Sequence, residues 1–263
     1  MKLVSWNVNS LRARLPRVLG LLDDLEPDVV CLQETKCAAE QVPRVQLKKA
    51  GYQVVDHCSG RWNGVALLVA EGVHVDEPAR GLAGEPMPDE ARWIEATVNG
   101  VRVVSVYVPN GARSMAEKLK FLGAAAVRTS HLVGRGPVAL AGDLNIAATD
   151  LDVAGTFREA PTHVTPAERA ALQRIVDSGL FDAYRQHHPD NQGFTWWDYR
   201  AGMFRRDIGM RLDYALISSD LYVSRCDVAL AYRRETEVGK PSDHAPVFAN
   251  ITAQTSAGQK EVV

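Results

Sequence analysis

Three short polar motifs, far apart in the chain, each border an apolar run that reads as a buried strand. They are QETK around Glu34, GDLN from Gly142 to Asn145, and SDH from Ser242 to His244. Carboxylates and amides at strand ends are costly to bury unless something pairs with them. The fold must therefore leave these ends in solvent or gather them around one another. One acid near the start, an Asp/Asn pair in the middle and an Asp-His pair near the end can share one pocket.

The strand-like runs are Lys2–Val8, Val29–Gln33, Tyr52–Asp56, Gly64–Val69, Trp93–Val98, Val101–Val108, Val138–Gly142, Arg211–Ser218 and Ala245–Ile251. Most are rich in Val, Ile and Leu and bounded by Gly, Pro or Asn. Asn99-Gly100, between two β-branched runs, is a hairpin signal. Helical periodicity covers Leu11–Leu25, Glu40–Ala50, Met115–Val133 and Pro166–Ser178, the last opening on Thr165, Pro166 and Glu168 as a capping box. Strands and helices alternate irregularly around at least one hairpin, which disfavours a purely parallel sheet. Two packed mixed sheets flanked by helices accommodate the pattern, an α/β chain with one domain over residues 1–253. The tail Gln254–Val263 lacks periodicity and is expected to fray.

The chain has 263 residues and a net charge of −2, from 30 basic and 32 acidic side chains. That balance argues against a protein held on nucleic acid by global charge, while a basic rim beside an acidic site stays compatible with it. No apolar run approaches the roughly 18 residues of a membrane span, and the first residues read as a strand rather than a signal peptide. A cytoplasmic protein is expected. Cys31, Cys37, Cys58 and Cys226 have no CxxC or zinc-like spacing and fit reduced thiols, Cys31 as core filling.

Each polar motif has a plain reading and a chemical one. Period two along β-like LVSWNVN puts Leu3, Ser5 and Asn7 on one face and Val4, Trp6 and Val8 on the other. Asn7 is then either a turn amide or a group orienting a metal ion or its water. Glu34 is either solvated or an oxygen donor of the kind Mg²⁺ takes. Asp143 and Asn145 share a face if their strand continues, with Gly142 leaving room for a substrate backbone; otherwise they form an Asx turn. His244 is either structural or held in one tautomer by Asp243, with a raised pKa suited to phosphoryl charge. Asp213 is either a salt-bridge acid or a site carboxylate. Tyr107 ends a strand before a loop bearing Asn110 and Arg113. TWWDYR, with Trp196 and Arg200, interleaves aromatic and basic side chains as a nucleic-acid strand requires, or its tryptophans anchor a loop. Trp62, in polar SGRWNG, reads as exposed. Metal-assisted phosphodiester hydrolysis would use this whole set.

WNVNS, LQETK, NGVALLV, YVPNG, GDLNIAATDLD, THVTPAER, TWWDYR, RLDY and PSDHAPV together resemble the exonuclease III family of abasic-site endonucleases, within the DNase I-like superfamily of endonucleases, exonucleases and phosphatases. The likeness runs from Met1 to about Ile251. It implies a four-layer α/β sandwich, Mg²⁺ or Mn²⁺, and Glu34 as principal metal ligand with Asn7 and Asp243 close by. It also implies that His244, oriented by Asp243, contacts the scissile phosphate. Asp143 and Asn145 would position the attacking water, Tyr107 would assist at the phosphate, and Asp213 would complete the acidic cluster. Trp196, Met210 and Leu212 would wall a pocket for an extruded abasic sugar, with Trp62, Arg113 and Arg200 on the DNA. The expected partner is duplex DNA bearing abasic sites or blocked 3′ ends, bound by a monomer. The rivals are a superfamily phosphodiesterase for RNA, lipid or inositol phosphate, and a DNA-binding relative without catalysis. The second would be expected to lack Glu34, Asp143 or His244, and all three are present.

Overall fold

Period two along the first strand decides the layering. In the computed structural model, which describes residues 1–254, β1 (Lys2–Asn7) turns Leu3 toward the centre of the molecule and Val4 and Trp6 toward a helical layer. Two six-stranded mixed sheets result. The first has the order β11 (Leu221–Val228), β12 (Val247–Ala253), β1, β2 (Val29–Gln33), β4 (Val65–Ala70), β3 (Tyr52–His57). The second runs β5 (Val75–Arg80), β6 (Trp93–Val98), β7 (Val101–Tyr107), β8 (Val138–Asp143), β10 (Asp213–Ser218), β9 (Leu180–Asp182).

Between the sheets lie Leu3, Cys31, Leu67 and Val69 from one and Ile94, Val103, Ala139 and Ile217 from the other. The opposite face of the first sheet packs Trp6, Leu32 and Leu68 against α1 (Leu11–Leu25) and α2 (Arg44–Lys49). That of the second packs Val104 and Leu140 against Phe121 of α3 (Met115–Val133) and Leu172 of α4 (Pro166–Val176). The four layers are thus helix, sheet, sheet, helix, as expected. A short α5 (Ala183–His187) follows β9.

Local chemistry explains most element ends. Asn99 (φ 47°) and Gly100 (φ 81°) close the β6–β7 hairpin in two residues, both left-handed as a type I′ turn requires. Thr165 accepts from the Glu168 N–H, and the Glu168 carboxylate accepts from Thr165 N–H in return. The helix expected over Glu40–Ala50 is divided instead: a 3₁₀ turn spans Ala39–Gln41, and α2 begins after Pro43, which cannot donate within a helix. Strands β5, β9 and β11 were not legible. β5 reads VDEPAR, an exposed edge with a register shift between Asp76 and Ala79, where an edge tolerates proline and charge. β11 loses its alternation at a register shift between Val223 and Arg225. The frayed tail expected from Gln254 lies, beyond that residue, outside the described residues.

β1–β2 and β7–β8 are the parallel pairs, each linked by a helix, α1 and α3. Their carboxyl ends, the usual place for a ligand in parallel sheet, all emerge on one side. Antiparallel β10 places Asp213 directly opposite Asp143 there.

Gly142 matters to this arrangement for a reason other than substrate access. A Cβ on it would stand 2.0 Å from the Val106 carbonyl oxygen of neighbouring β7. Gly142→Ala is expected to lower stability by at least about 2 kcal/mol in urea unfolding. Gly20→Ala in α1, where an added Cβ meets nothing within 4 Å, is expected to raise it by about 0.5–1 kcal/mol. Equal effects would contradict this account.

Candidate active site

The loops that carry the polar motifs are held in uncommon backbone conformations. Asn9 (φ 45°), Glu34 (φ 53°), Lys36 (φ 48°) and Asn145 (φ 52°) are all left-handed, a conformation that persists only where the surroundings enforce it. The enforcement is visible. Ser10 N–H donates to Glu34 O (2.8 Å), Thr35 N–H to Gly64 O (3.1 Å) and Lys36 N–H to Asn63 O (2.8 Å). Gly64 (φ +105°) permits this, since a Cβ there would lie 2.1 Å from Thr35 Oγ1. The SDH segment is tied to β1: Ser242 Oγ donates to Asn7 O (2.7 Å) and Trp6 Nε1 to His244 O (3.1 Å).

Asn7 joins the two sheets. Its amide Nδ2 donates to Glu34 Oε1 (2.8 Å) and to Asp143 Oδ2 (2.9 Å), across the gap between β1 and β8. Lys36 Nζ lies 2.5 Å from Glu34 Oε2 and donates to Asn9 Oδ1 (2.6 Å). Beneath, fully buried Gln33 donates to Ser105 Oγ (3.0 Å), which donates to Leu32 O (3.0 Å). A polar layer therefore continues between the sheets under the site.

The partner of His244 differs from the one expected. Asp213 Oδ2, at 2.8 Å, engages His244 Nδ1. Asp243, although adjacent in sequence, turns away and accepts from Asn9 Nδ2 (2.9 Å) and Trp196 Nε1 (3.1 Å). The chain bends at Asp243 before β12 begins, so neighbouring positions in SDH serve different groups. Asp213 thus pairs with His244 in the candidate site, while Arg211 pairs with Asp152 and Asp182 instead. The shared face expected for Asp143 and Asn145 is also not realised, because β8 stops at Asp143. Asn145 N–H donates to Asp143 Oδ1 (2.9 Å) and its Nδ2 to Val108 O (2.8 Å), an Asx turn built into the site.

Electrostatics couple these groups. Burial opposes charge on His244, but Asp213 and Asp143 beside it outweigh that and raise its pKa to about 10. Burial pushes Asp143 up to about 7, with Asp213 and Glu34 adding to it and His244 and Asn7 opposing. Asp243 is held below the usual range: burial works against this, and His244, Asn9 and Trp196 prevail. The Tyr107 phenol stands well above its ordinary value, through burial first and then Glu34 and Asp143.

Glu34, Asp143 and His244 each offer a ligand atom, all within 4.8 Å of one another. The set fits a hard divalent cation such as Mg²⁺ or Mn²⁺. Two carboxylates supply oxygen donors, and burial first, with Asp213 and Glu34 adding to it, raises the Asp143 pKa, so a bound cation would favour its charged form. Asp213 Oδ1 is buried there with no hydrogen-bond partner. Protonated His244, with Nδ1 engaged, is suited to an anion rather than to the cation. Asp243 lies outside this trio.

The site opens into a groove of about 660 Å³ lined by Glu34, Trp62, Arg92, Tyr107, Arg113 and Asp243 among others. Trp62 is 69% exposed, with the Arg61 guanidinium 5.0 Å from its ring. Arg113 is also exposed, and Arg200 stands out beside its partner Asp198. Trp196, Met210 and Leu212 do come together, but in a closed apolar cluster with Val153, Val164 and Phe157. None of the three lines the groove. Met210 and Leu212 are 2% exposed, and Trp196 is half-buried.

Several contributing residues escaped the sequence reading. Arg92 lies 4.7 Å over the Tyr107 ring and donates to Tyr107 O, with no sequence signal beyond its charge. Lys118, completely buried, pairs with Glu168 (2.5 Å) and donates to Asn145 O (2.7 Å) and Asn110 O (3.3 Å). It fastens both substrate-side loops to α4. His163 donates its Nδ1–H to Asn145 O (2.6 Å). A lysine at an inward position of an amphipathic helix was the available signal for Lys118.

The Endonuclease/Exonuclease/phosphatase family model matches residues 4–244. The chain is 33% identical to exodeoxyribonuclease III of Haemophilus influenzae, over 95% of this chain and 100% of that protein. It is also similar to the solved structure of the 3′ phosphatase NExo from Neisseria bound to product DNA hairpin, with TM-score 0.90 and 35% identity, covering 96% of this chain and 99% of that one. An AP endonuclease from Archaeoglobus fulgidus gives TM-score 0.87 at 32% identity, covering 95% and 98%. The chain belongs to the Endonuclease/Exonuclease/phosphatase family, in its exonuclease III branch. No helix among the described residues is long and apolar enough to cross a membrane.

Two measurements check this electrostatic picture. In cation-free protein, Asp213→Asn is expected to lower the His244 pKa by more than about one unit by NMR titration, and Asp243→Asn to lower it less; the reverse order would restore Asp243 as its partner. Burial first, then Lys118, depress the His163 pKa to about 4, below the roughly 6.5 of an unfolded histidine. The unfolded chain then binds more protons between these values, so stability is full above about pH 6.5 and declines toward pH 4, by up to about 3 kcal/mol. His163→Asn is expected to flatten that limb in urea midpoints.

Proposed function

We propose that this exonuclease III-branch chain is a divalent-metal-dependent DNA-repair hydrolase that cleaves phosphodiesters 5′ to abasic sites and removes blocking groups from 3′ ends. One observation carries the reading. A single amide, Asn7, links the carboxylates of Glu34 and Asp143 beside a His244–Asp213 pair, at the mouth of a groove rimmed by Trp62 and Arg113. Glu34, with Asn7 beside it, would hold the cation. When bound, the cation offsets charge developing on the phosphoryl oxygens.

The chain's own side chains do the rest. His244, kept protonated by Asp213 and Asp143, presents Nε2–H to a phosphate oxygen. Asp143 accepts a hydrogen bond from, or the proton of, the attacking water, and Asn145 holds Asp143 in place through its backbone N–H. Tyr107 stands by for the leaving oxygen. Asp243 acts one step away, fixing Asn9 and the Trp196 indole rather than the imidazole. Trp62 and Arg113 contact the DNA backbone or a base face, with Arg200 extending the basic rim.

A second emphasis within this reading has its own support. With Met210 and Leu212 buried and Trp196 half-covered beside them, little room is provided for an extruded sugar, whereas a 3′ end needs no such pocket. The NExo structure, named as a 3′ phosphatase, was solved with a DNA hairpin product.

The test is a panel of three duplexes: one with an internal abasic site, one with a 3′-phosphate and one with a plain recessed 3′ end. With Mg²⁺, cleavage of the first or second is expected, and EDTA abolishes it. Glu34→Ala and His244→Ala are each expected to slow it by two or more orders of magnitude, roughly, with the fold retained. Unchanged rates in both variants would sink the assignment. Preference for the 3′-phosphate over the abasic duplex would favour the closed-pocket emphasis.

A further inference from the structure

Besides Glu34 and Asp243, the groove wall carries Asp89, Glu90 and Glu117 next to Arg92 and Arg113. A groove proposed to hold a polyanion is thus lined by more carboxylates than guanidinium groups. Glu90 engages both arginines. One of its oxygens accepts from Arg92 Nε (2.7 Å), and the other lies 3.7 Å from Arg113 Nη1. Arg92 is largely buried and is fixed again by its stacking over the Tyr107 ring and its bond to Tyr107 O. It therefore pins Glu90 in place. Arg113 by contrast is 82% exposed, and Glu90 is its one ion-pair partner among the described residues. The other rim arginine, Arg200, is covered in the same manner by both oxygens of Asp198, at 2.6 to 3.1 Å.

We propose that Glu90 determines specificity: it masks Arg113 from the phosphates of undamaged duplex, so that such DNA is held loosely and released. This rests on the groove being the place where DNA lies. Backbone phosphates carry no information about a lesion, and contacts to them supply nearly all of non-specific affinity. An arginine freely available to phosphate strengthens the grip on every duplex alike. A carboxylate beside it opposes that twice, by holding the guanidinium and by repelling an approaching phosphate. Substrate is then distinguished by contacts at the Glu34 and His244 end of the groove.

An exposed ion pair ordinarily contributes little, because two long side chains must be ordered to make it. Here Arg92 already fixes the carboxylate, so only Arg113 has ordering left to lose. Coulomb's law sets the size of the effect. At about 4 Å in water, two unit charges interact strongly enough to change a binding constant about fivefold, and less as salt is added.

The experiment measures binding of a fluorescein-labelled undamaged duplex by anisotropy, in EDTA so that nothing is cleaved, from about 50 to about 200 mM NaCl. Glu90→Gln keeps the acceptor for Arg92 and removes the charge. It is expected to bind at least about threefold more tightly than the parent at the low-salt end. Its log Kd should also rise more steeply against log salt, by about 0.9, the slope of one further phosphate contact. With Mg²⁺, its cleavage of the preferred duplex is expected to be inhibited by unlabelled undamaged duplex at correspondingly lower concentrations. In an Arg113→Gln background the same change is expected to lose most of its effect. Glu71→Gln, an equal charge change at the end of the first sheet away from Glu34, is expected to have none. The proposal is overturned if Glu90→Gln binds as the parent does, if its gain survives in full without Arg113, or if Glu71→Gln matches it. Should neither protein bind duplex even at the lowest salt, the DNA reading itself has failed and this inference falls with it.

Discussion

One side-chain amide holds the two halves of the site in register. Asn7 Nδ2 donates to Glu34 on its own sheet and to Asp143 on the other. Without that shared donor, only Lys36 beside Glu34 and His244 beside Asp143 would offset the repulsion of the two carboxylates. The amide can reach both because β1 and β2 are parallel and end together, and because Gly142 lets β8 lie close against β7. Sheet packing and site geometry are therefore the same fact seen at two scales.

Charge balance is the second constraint. Asp213 lies directly across from Asp143 in the β8–β10 ladder, a like-charge pairing that destabilises a sheet. His244 stands between the two, 2.8 Å from one and 3.8 Å from the other, and its raised pKa is the counterpart of their crowding. The imidazolium thus serves stability and the proposed phosphate contact through one interaction. Behind it, buried Lys118 and Arg211 keep the loops from relaxing, each paired with carboxylates rather than left alone.

Much of this was legible because burial writes itself into sequence period. Leu3, Ser5 and Asn7 against Val4 and Trp6, the Asn99-Gly100 turn and the Thr165–Glu168 cap all follow from local rules that hold before the chain is folded. β5 and β11 were not, since edge strands need bury no continuous face and register shifts break their alternation. Likewise Pro43 divided a helix whose hydrophobic period alone ran through it.

The chain's residues by themselves determined which polar groups the candidate site gathers: Asn7, Glu34, Tyr107, Asp143, Asn145, Asp213, Asp243 and His244 stand at strand ends or within a few residues of them, where apolar runs stop. Only the tertiary structure decided who pairs with whom. It gave His244 to Asp213, some 30 positions away, rather than to its neighbour Asp243, and it closed Met210 and Leu212 over with apolar side chains. The reason is physical. The chain bends between Asp243 and His244, and the facing of the two sheets brings the start of β10 to the imidazole, a contact that no local rule sets.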